Sequence, residues 1–226
     1  MRYIEKRETP QYFIEEVKLL ELELTRNQKR REVFDKLNCK KDLHHYLLTK
    51  EQNGICGYCE AYINEFVPSH IEHIEALNRN INLVFDYSNL IVSCDGLCFT
   101  DENKRLTCGH KKDTKGYKVN YSLFLSPTKV KNIRDYFKYT DNFNIGATNL
   151  NPKKAKETIR VLNLGDHNNE LQEARKKAFE EFKMSIKNYA EKRKKPLTSE
   201  LRNKIIQFLL SKENLAFISF LKYKFK

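Results

Sequence analysis

The chain has 226 residues, of which 40% are hydrophobic and 32% are charged. That length fits one domain, or one domain with an appendage, and 14 Phe and 12 Tyr residues can fill a core, which argues against a disordered chain. No run of about 18 apolar residues is present, so a transmembrane helix is excluded. The net charge of +12 favours a polyanionic partner, nucleic acid before a membrane, although a solvated lysine-rich surface would give the same excess.

The N-terminal part of the sequence has a helical pattern. Residues 1–13 lack the apolar segment of a secretory signal, which predicts a cytoplasmic protein. Apolar residues at three- and four-residue steps predict a helix over about 11–38, and a second helix is predicted over 41–52. Asn53-Gly54 ends the second helix, because glycine commonly follows the last helical turn. We therefore predict an N-terminal helical segment at 1–52.

A central domain is predicted at 53–125, where the helical periodicity weakens and Cys, His, Asn and Gly collect. Short β-like runs occur at 69–74 and around 90–93, and a helix is predicted to open at Lys111 and Lys112.

A third, mostly helical region is predicted at 126–226. Its first part, to residue 150, is rich in Tyr and Phe and is expected to be a loop. Helices are expected from Pro152 onward, since proline suits a first helical turn, and a last amphipathic helix is predicted over 201–220.

Five of the six cysteines lie between positions 56 and 108, which in a chain without a signal indicates metal binding or redox chemistry before disulfides. Cys56 and Cys59 have the C-x2-C spacing with which two thiolates span one edge of a tetrahedral zinc site. Any two of Cys94, Cys98 and Cys108 would complete four ligands. A redox pair is the weaker interpretation, because no βαβ pattern surrounds the C-x2-C motif.

The sequence His70-Ile71-Glu72-His73 lies between the two groups of cysteines. Side chains alternate on a strand, so His70 and Glu72 are expected to share one face while His73 points the opposite way. A carboxylate beside a histidine suits metal-assisted hydrolysis, in which the carboxylate holds a hard cation and the neutral imidazole accepts a proton from water.

The order C-x2-C, Glu-His, Asn-Leu, Cys and Cys-x-His-Lys-Lys resembles the HNH endonucleases with a ββα-metal fold. In this resemblance the motif residues are His73, Asn89 and His110. It implies an α+β fold in which a ββα-metal nuclease core with a structural zinc knuckle is flanked by N- and C-terminal helices. Two positions differ from the usual pattern: Glu72 stands where most members have Asp, and a glycine separates the last Cys from the last His.

Among the HNH endonucleases, the sequence is most similar in its motifs to the PtuB-type proteins of Septu and related retron anti-phage defence systems. This similarity covers roughly residues 1–180 and is carried by Leu48, 51–60, 70–73, 85–90, 93–94, 108–112, Ser126-Pro127, 137–139, Gly146, 162–164, Leu171 and Arg175. Because that family works beside an ABC/SMC-like ATPase, PtuA, the resemblance implies a PtuA-like ATPase as partner.

The resemblance also implies two kinds of metal site. A structural zinc ion would be held by four thiolates, those of Cys56, Cys59, Cys94 and Cys108. We favour Cys108 over Cys98 as the fourth ligand because it adjoins the last histidine of the motif.

The catalytic cation, Mg²⁺ or another divalent ion, would lie between Glu72, His110 and a phosphate oxygen of the substrate. His70 is ranked below Glu72 as a ligand of that cation or as its supporting residue.

The remaining residues of the motif receive roles from the same resemblance. His73 would be the general base for an attacking water, and Asn89 would hold the other imidazole nitrogen and fix the ring orientation. Lys111 and Lys112, at the start of the predicted helix, would contact nucleic-acid phosphates, although a solvated pair of lysines is nearly as well supported.

The predicted function is a metal-dependent endonuclease that acts on DNA, or on tRNA or another RNA, with the ATPase. Two alternatives remain: a catalytically idle zinc-knuckle module that binds nucleic acid, and a subunit that only binds the ATPase. The presence of Glu72, His73, Asn89 and His110 together favours the enzyme, because binding alone requires none of them.

Overall fold

A computed structural model describes residues 1–23, 30–64, 68–77, 81–96, 106–165, 169–192 and 196–226. The helices in these ranges are α1 (Gln11–Glu23), α2 (Arg30–Asp35), α3 (Lys40–Tyr46), α4 (Cys108–Lys112), α5 (Pro152–Leu162), α6 (Asn169–Lys192), α7 (Ser199–Leu210) and α8 (Ile218–Lys224). The strands are β1 (Ser69–His73), β2 (Leu90–Cys94), β3 (Phe137–Tyr139) and β4 (Ile145–Ala147). None of the described helices has the length and apolar character needed to cross a bilayer.

Strands β1 and β2 form an antiparallel pair in which Ile71 lies opposite Val92 and His70 opposite Ser93. Both runs were predicted from their apolar residues, and both strands end within one residue of the predicted limits. The pairing continues for one more hydrogen bond, because the Asp95 amide donates to the Pro68 carbonyl at 2.9 Å. Helix α4 follows in the sequence and packs on β2.

The outward edge of β2 is covered by other parts of the chain. The buried side chain of Gln52 accepts a hydrogen bond from the Val92 amide at 2.6 Å and donates one to the Val92 carbonyl at 2.8 Å. The Gly57 amide donates to the same carbonyl at 3.0 Å, and the Lys6 ammonium donates to the Leu90 carbonyl at 3.0 Å. Gln52 therefore takes the place that a neighbouring strand would have in a larger sheet.

The N-terminal helices agree in part with the periodicity. The predicted helix over 11–38 contains α1 and α2, and residues 24–29 between them lie outside the described part of the chain. The second predicted helix is α3, which continues as a π-helical turn over Leu47–Glu51 and then ends at Asn53 and Gly54, both with positive φ.

The C-terminal half differs from prediction in two places. The Tyr/Phe-rich stretch contains the short hairpin of β3 and β4, which was expected to be a loop. The predicted helix over 201–220 is in fact two helices: α7 ends at Leu210, and α8 begins at Ile218, directly after Phe217, which has the left-handed conformation with φ 53°.

One hydrophobic cluster contains residues from each of the three predicted segments, for example Phe13, Leu90 and Phe220. Helix α8 packs on β3 and also contacts the knuckle, where the Phe217 amide donates to the Glu60 carbonyl at 2.8 Å. The N- and C-terminal flanks therefore pack against the central hairpin and contribute to the same core.

Candidate functional site

Four buried cysteines come together where the C-x2-C turn, the end of β2 and the start of α4 meet. The Sγ atoms of Cys56 and Cys108 are 3.8 Å apart, those of Cys59 and Cys94 are 3.7 Å apart, and those of Cys94 and Cys108 are 3.8 Å apart. A tetrahedral zinc–thiolate site with bonds of ~2.3 Å has edges of about 3.8 Å. The cluster could therefore hold a structural metal ion without rearrangement.

The surroundings of these sulfurs also suit a metal site. Backbone amides of Cys94 and Ala61 donate to the Sγ atoms of Cys56 and Cys59, each at 3.4 Å. Burial opposes ionisation of Cys56, yet hydrogen bonds from the neighbouring thiols lower its pKa well below the usual value. Cys108 has φ 54°, a left-handed conformation that costs roughly 1–2 kcal/mol for an L-residue.

The alternative fourth ligand, Cys98, lies outside the described residues. The structure brings Cys108 to the cluster, at the first residue of α4.

The carboxylate of Glu72 is buried between β1 and α4. Its Oε1 atom accepts a hydrogen bond from the Tyr58 hydroxyl at 3.2 Å and lies 3.0 Å from Lys112 Nζ. Burial works to raise the pKa of Glu72, but the charge of Lys112 and the contacts with His70 together outweigh it and lower the pKa. The pKa of Lys112 shifts in the other direction. Burial works to lower it, but the negative charges of Glu72 and Asp113 outweigh burial and raise it.

This ion pair corrects the phosphate-binding role predicted for Lys112. The side chain of Lys112 is fully buried and its ammonium contacts Glu72 and Asp113, so its charge is already compensated inside the protein. Lys111 instead places its ammonium 4.7 Å from the centre of the Tyr117 ring, and its contact with phosphate stays a prediction.

Helix α4 approaches Glu72 closely because residue 109 is glycine. A Cβ atom on Gly109 would lie 2.7 Å from Glu72 Oε2 and 2.9 Å from His70 Nε2, both too close for an unshifted side chain. The residue directly after the last cysteine therefore has no side chain with which to share a cation with Glu72. His110, one position further on, contacts Asp95 instead.

The structure brings together His70, Asp95 and His110 as a metal-capable group, and within the described residues Glu72, the predicted partner of His110, is not a member of that group. Asp95 Oδ1 lies 2.5 Å from His70 Nδ1 and 3.0 Å from His110 Nε2, and the two rings are 4.5 Å apart between centres. Burial acts to lower the pKa of His70, but the carboxylates of Glu72 and Asp95 outweigh it and raise the pKa. These three side chains are partly exposed.

His73, at the end of β1, has a different environment. Its Nε2 atom lies 3.0 Å from the Val84 carbonyl, and the edge of its ring packs on Phe34 with 4.6 Å between ring centres. Since a carbonyl can only accept, the proton of the neutral ring is on Nε2, and Nδ1 is the basic nitrogen.

Asn89 does not bond the His73 ring, contrary to the predicted role. Its Oδ1 atom accepts from the Glu75 amide at 2.8 Å, and its Nδ2 atom donates to the Glu75 carbonyl at 3.0 Å and to the Leu83 carbonyl at 3.5 Å. Asn89 therefore joins the backbone just after His73 to the backbone just before Val84, the partner of His73. It positions the imidazole through the main chain.

A cleft of about 1550 Å³ lies beside β1 and α4. His70, Glu72, His73 and His110 all line it. Three basic residues of the cleft are paired with acidic residues that also line it: Lys40 with Asp35, Lys112 with Glu72, and Arg160 with Glu157. Lys41, Lys115 and Lys118 are exposed basic side chains at the cleft. The cleft is therefore suited to a polyanion.

Sequence reasoning missed Asp95 and Val84. The pairing of the two strands would have identified Asp95. His70 lies opposite Ser93, so Asp95, two positions after Ser93, is on the same face as His70 and diagonal to it. The Val84 carbonyl has no sequence signal, because every residue has a carbonyl and only the folded loop brings this one to His73.

The chain is similar to a protein of Vibrio cholerae serotype O1 biovar El Tor that bears the name "Retron Vc95 putative HNH endonuclease". The two are 33% identical over 160 residues, which make up 69% of this chain and 70% of the relative. No protein-family model matches the chain.

Proposed function

Because this chain belongs to the HNH endonuclease family, we propose that it is a metal-dependent endonuclease that hydrolyses phosphodiester bonds of nucleic acid. The observation that carries the proposal is the placement of His73 in the basic cleft, with its Nε2 atom bonded to the Val84 carbonyl. With Nε2 donating to this carbonyl, Nδ1 is the ring nitrogen to which we assign the acceptance of a proton from water. Base catalysis of this kind contributes typically ~10²–10⁴-fold to a rate.

The hairpin of β1 and β2 followed by α4 supports a ββα-metal core as the unit that carries this chemistry. The four-cysteine cluster supports zinc as its structural ion, since its sulfur spacings match a tetrahedral thiolate site. Bound there, the ion would fix the start of α4, and with it His110, against the end of β2.

A divalent cation at the cleft would neutralise charge on the phosphate and stabilise the departing oxygen. The protein's own groups divide the remaining work. His73 accepts the proton, Asn89 fixes the two backbone segments around it, and the Glu72–Lys112 pair holds α4 on the hairpin.

Basic side chains at the cleft would bind the phosphates of the substrate. Lys115 and Lys118 are both exposed there and belong to the segment that follows α4. Lys111 is kept as a further candidate for phosphate binding at the same end of the cleft.

We further propose that the enzyme is the effector subunit of an anti-phage defence system of the retron or Septu type, in complex with a PtuA-like ATPase. The retron in the name of the relative supports this setting. Leu19 and Leu22, which are 66% and 86% exposed on α1, support a partner on the N-terminal flank.

A cleavage assay with His73→Ala tests the enzymatic proposal. Plasmid DNA and tRNA are incubated with the protein, with and without the cognate ATPase, in Mg²⁺ or Mn²⁺. We expect His73→Ala to lower the cleavage rate by ~10² or more, because no other group replaces the base. His45→Ala is the matched control, since His45 is an exposed histidine on α3 outside the cleft.

Zinc content and circular dichroism of both variants show whether the fold is intact. Wild-type cleavage by His73→Ala would contradict the proposal, and if that cleavage required the ATPase it would favour an idle binding subunit whose partner cleaves. His73→Asn, which keeps most of the side-chain volume against Phe34, covers the case in which the alanine variant is unstable.

A further inference from the structure

We infer that His70, Asp95 and His110 are the ligands of the divalent cation at the cleft, and that this site prefers a first-row transition metal to Mg²⁺. The inference rests on the proposed nuclease function, which it makes specific. It assigns the cation to two imidazoles and one carboxylate and leaves Glu72 out of the ligand set.

The fold brings the three side chains together from three separate pieces of chain. His70 is on β1, Asp95 follows β2 on the same face of the hairpin, and His110 is on α4. Their potential ligand atoms all lie within 4.8 Å of one another. Two ligands on neighbouring corners of an octahedron with bonds of ~2.1 Å are about 3.0 Å apart, which is the distance between Asp95 Oδ1 and His110 Nε2. His70 Nδ1 is 2.5 Å from Asp95 Oδ1, so these two atoms would have to separate by about 0.5 Å around a bound ion.

Glu72 is the more enclosed of the two carboxylates near this group, and its Oε2 atom lies 3.5 Å from His70 Nε2. Its Oε1 atom contacts the ammonium of Lys112 at 3.0 Å and the hydroxyl of Tyr58 at 3.2 Å. The Glu72 side chain is only 2% exposed, whereas those of His70, Asp95 and His110 are 27%, 32% and 44% exposed. The ammonium of Lys112 already compensates the charge of Glu72, so Asp95 is the more accessible carboxylate for an added cation.

Gly109 explains why the ligand set is shifted by one residue along α4. A side chain at 109 would collide with Glu72 Oε2, so the helix can pack this closely only with glycine there. The imidazole of His110 then contacts Asp95 and the ring of His70, whereas the buried Glu72 is paired with Lys112.

The donor set determines which metal is preferred. Two imidazole nitrogens and one carboxylate oxygen suit Mn²⁺, Fe²⁺, Ni²⁺ or Zn²⁺, whereas Mg²⁺ prefers oxygen donors and retains its waters. Three protein ligands also leave coordination positions open for water and a phosphate oxygen, as in catalytic metal sites. A partly exposed site at the wall of the cleft gives a substrate access to those positions.

Direct Mn²⁺ binding to the full chain, with zinc kept in the cysteine cluster, tests the inference without any substrate. Electron paramagnetic resonance of free Mn²⁺ gives the stoichiometry and Kd, and pulsed measurements report ¹⁴N coupling from bound imidazole. We expect one site per chain with ¹⁴N coupling, and weaker binding of Mg²⁺ in competition.

Asp95→Asn should weaken Mn²⁺ binding by at least ~10-fold, because loss of even a supporting group commonly has that effect. His110→Ala should reduce both affinity and the ¹⁴N signal. His44→Gln is the matched control: His44 lines the same cleft and bonds Ser69 Oγ at 3.0 Å, but it is outside the ligand set.

The inference is overturned if Asp95→Asn and His110→Ala bind Mn²⁺ like the wild type, or if Glu72→Gln alone abolishes binding. Absence of any Mn²⁺ site would also overturn it and leave an ion pair between Asp95 and protonated histidines. The two proposals can fail separately. If His73→Ala abolishes cleavage but Asp95→Asn and His110→Ala still bind Mn²⁺, the proposed nuclease function is supported and only the proposed metal ligands are wrong.

Discussion

At the scale of single residues, the most consequential pair is Glu72 and Lys112, whose charges are 3.0 Å apart in the interior. Removing one partner leaves an uncompensated buried charge, which typically costs ~3–5 kcal/mol. We expect Lys112→Met to lower the free energy of unfolding by about this amount, and the double variant with Glu72→Gln to recover much of the loss. Urea unfolding of the single and double variants measures both.

The same pair has a pH signature with a definite sign. The pKa of Glu72 is lower in the folded protein than its usual value, so the ionised carboxylate contributes stability at neutral pH that is lost as the pH falls through the folded pKa. Lys112→Met removes a charge that lowers this pKa, so the folded and unfolded pKa values move closer together and the variant should lose less stability on acidification than the wild type. An unchanged acid limb would show that Lys112 does not stabilise the carboxylate.

Residue types and their alternation predicted the shared face of His70 and Glu72, which lie 3.5 Å apart. They did not predict the partner of Lys112, because a lysine next to a charged motif is read as solvated or phosphate-binding until the packing is known. The role of Asn89 was misassigned for a related reason. An amide can bond a side chain or the main chain equally well, and only the loop conformation decides.

At the scale of elements, the cysteine cluster joins the C-x2-C turn, the end of β2 and the start of α4. We expect Cys108→Ser to lose the bound zinc and to lower the Tm by on the order of 10 °C, since metal binding contributes directly to folding. Cys98→Ser is the matched control and should retain one zinc per chain. Elemental analysis and thermal unfolding measure these outcomes, and loss of zinc from Cys98→Ser alone would assign the fourth ligand to Cys98.

Element boundaries were predictable where the sequence contains its own stop signals. Asn53-Gly54 and Asn151-Pro152 mark helix limits that the structure retains, the latter with Asn151 Oδ1 accepting from the Lys154 amide at 3.1 Å. The break at Phe217 was not predictable, because a large aromatic residue rarely adopts the left-handed conformation and only its packing in the core holds it there.

At the scale of the whole molecule, the excess of positive charge predicts salt-dependent binding of nucleic acid. The double variant Lys115→Glu with Lys118→Glu should bind nucleic acid more weakly. The slope of log K against log salt concentration should become less steep by about 0.9 for each duplex DNA phosphate that the variant no longer neutralises. Lys176→Glu with Lys177→Glu is the control with the same charge change on α6, outside the cleft. Fluorescence anisotropy with a labelled duplex at several salt concentrations distinguishes a cleft effect from one of net charge, in which both pairs would respond equally.

The cover over the outer edge of β2 also limits how this molecule can meet others. Exposed strand edges commonly recruit strands from other chains, which leads to domain swapping or fibrils. Here Gln52, Gly57 and Lys6 already bond the backbone groups of Val92 and Leu90 that an incoming strand would need. A hairpin of only two strands is thereby protected from edge-to-edge growth on this side. Any protein that docks beside β2 must recognise side chains, because the strand offers it no ladder to extend.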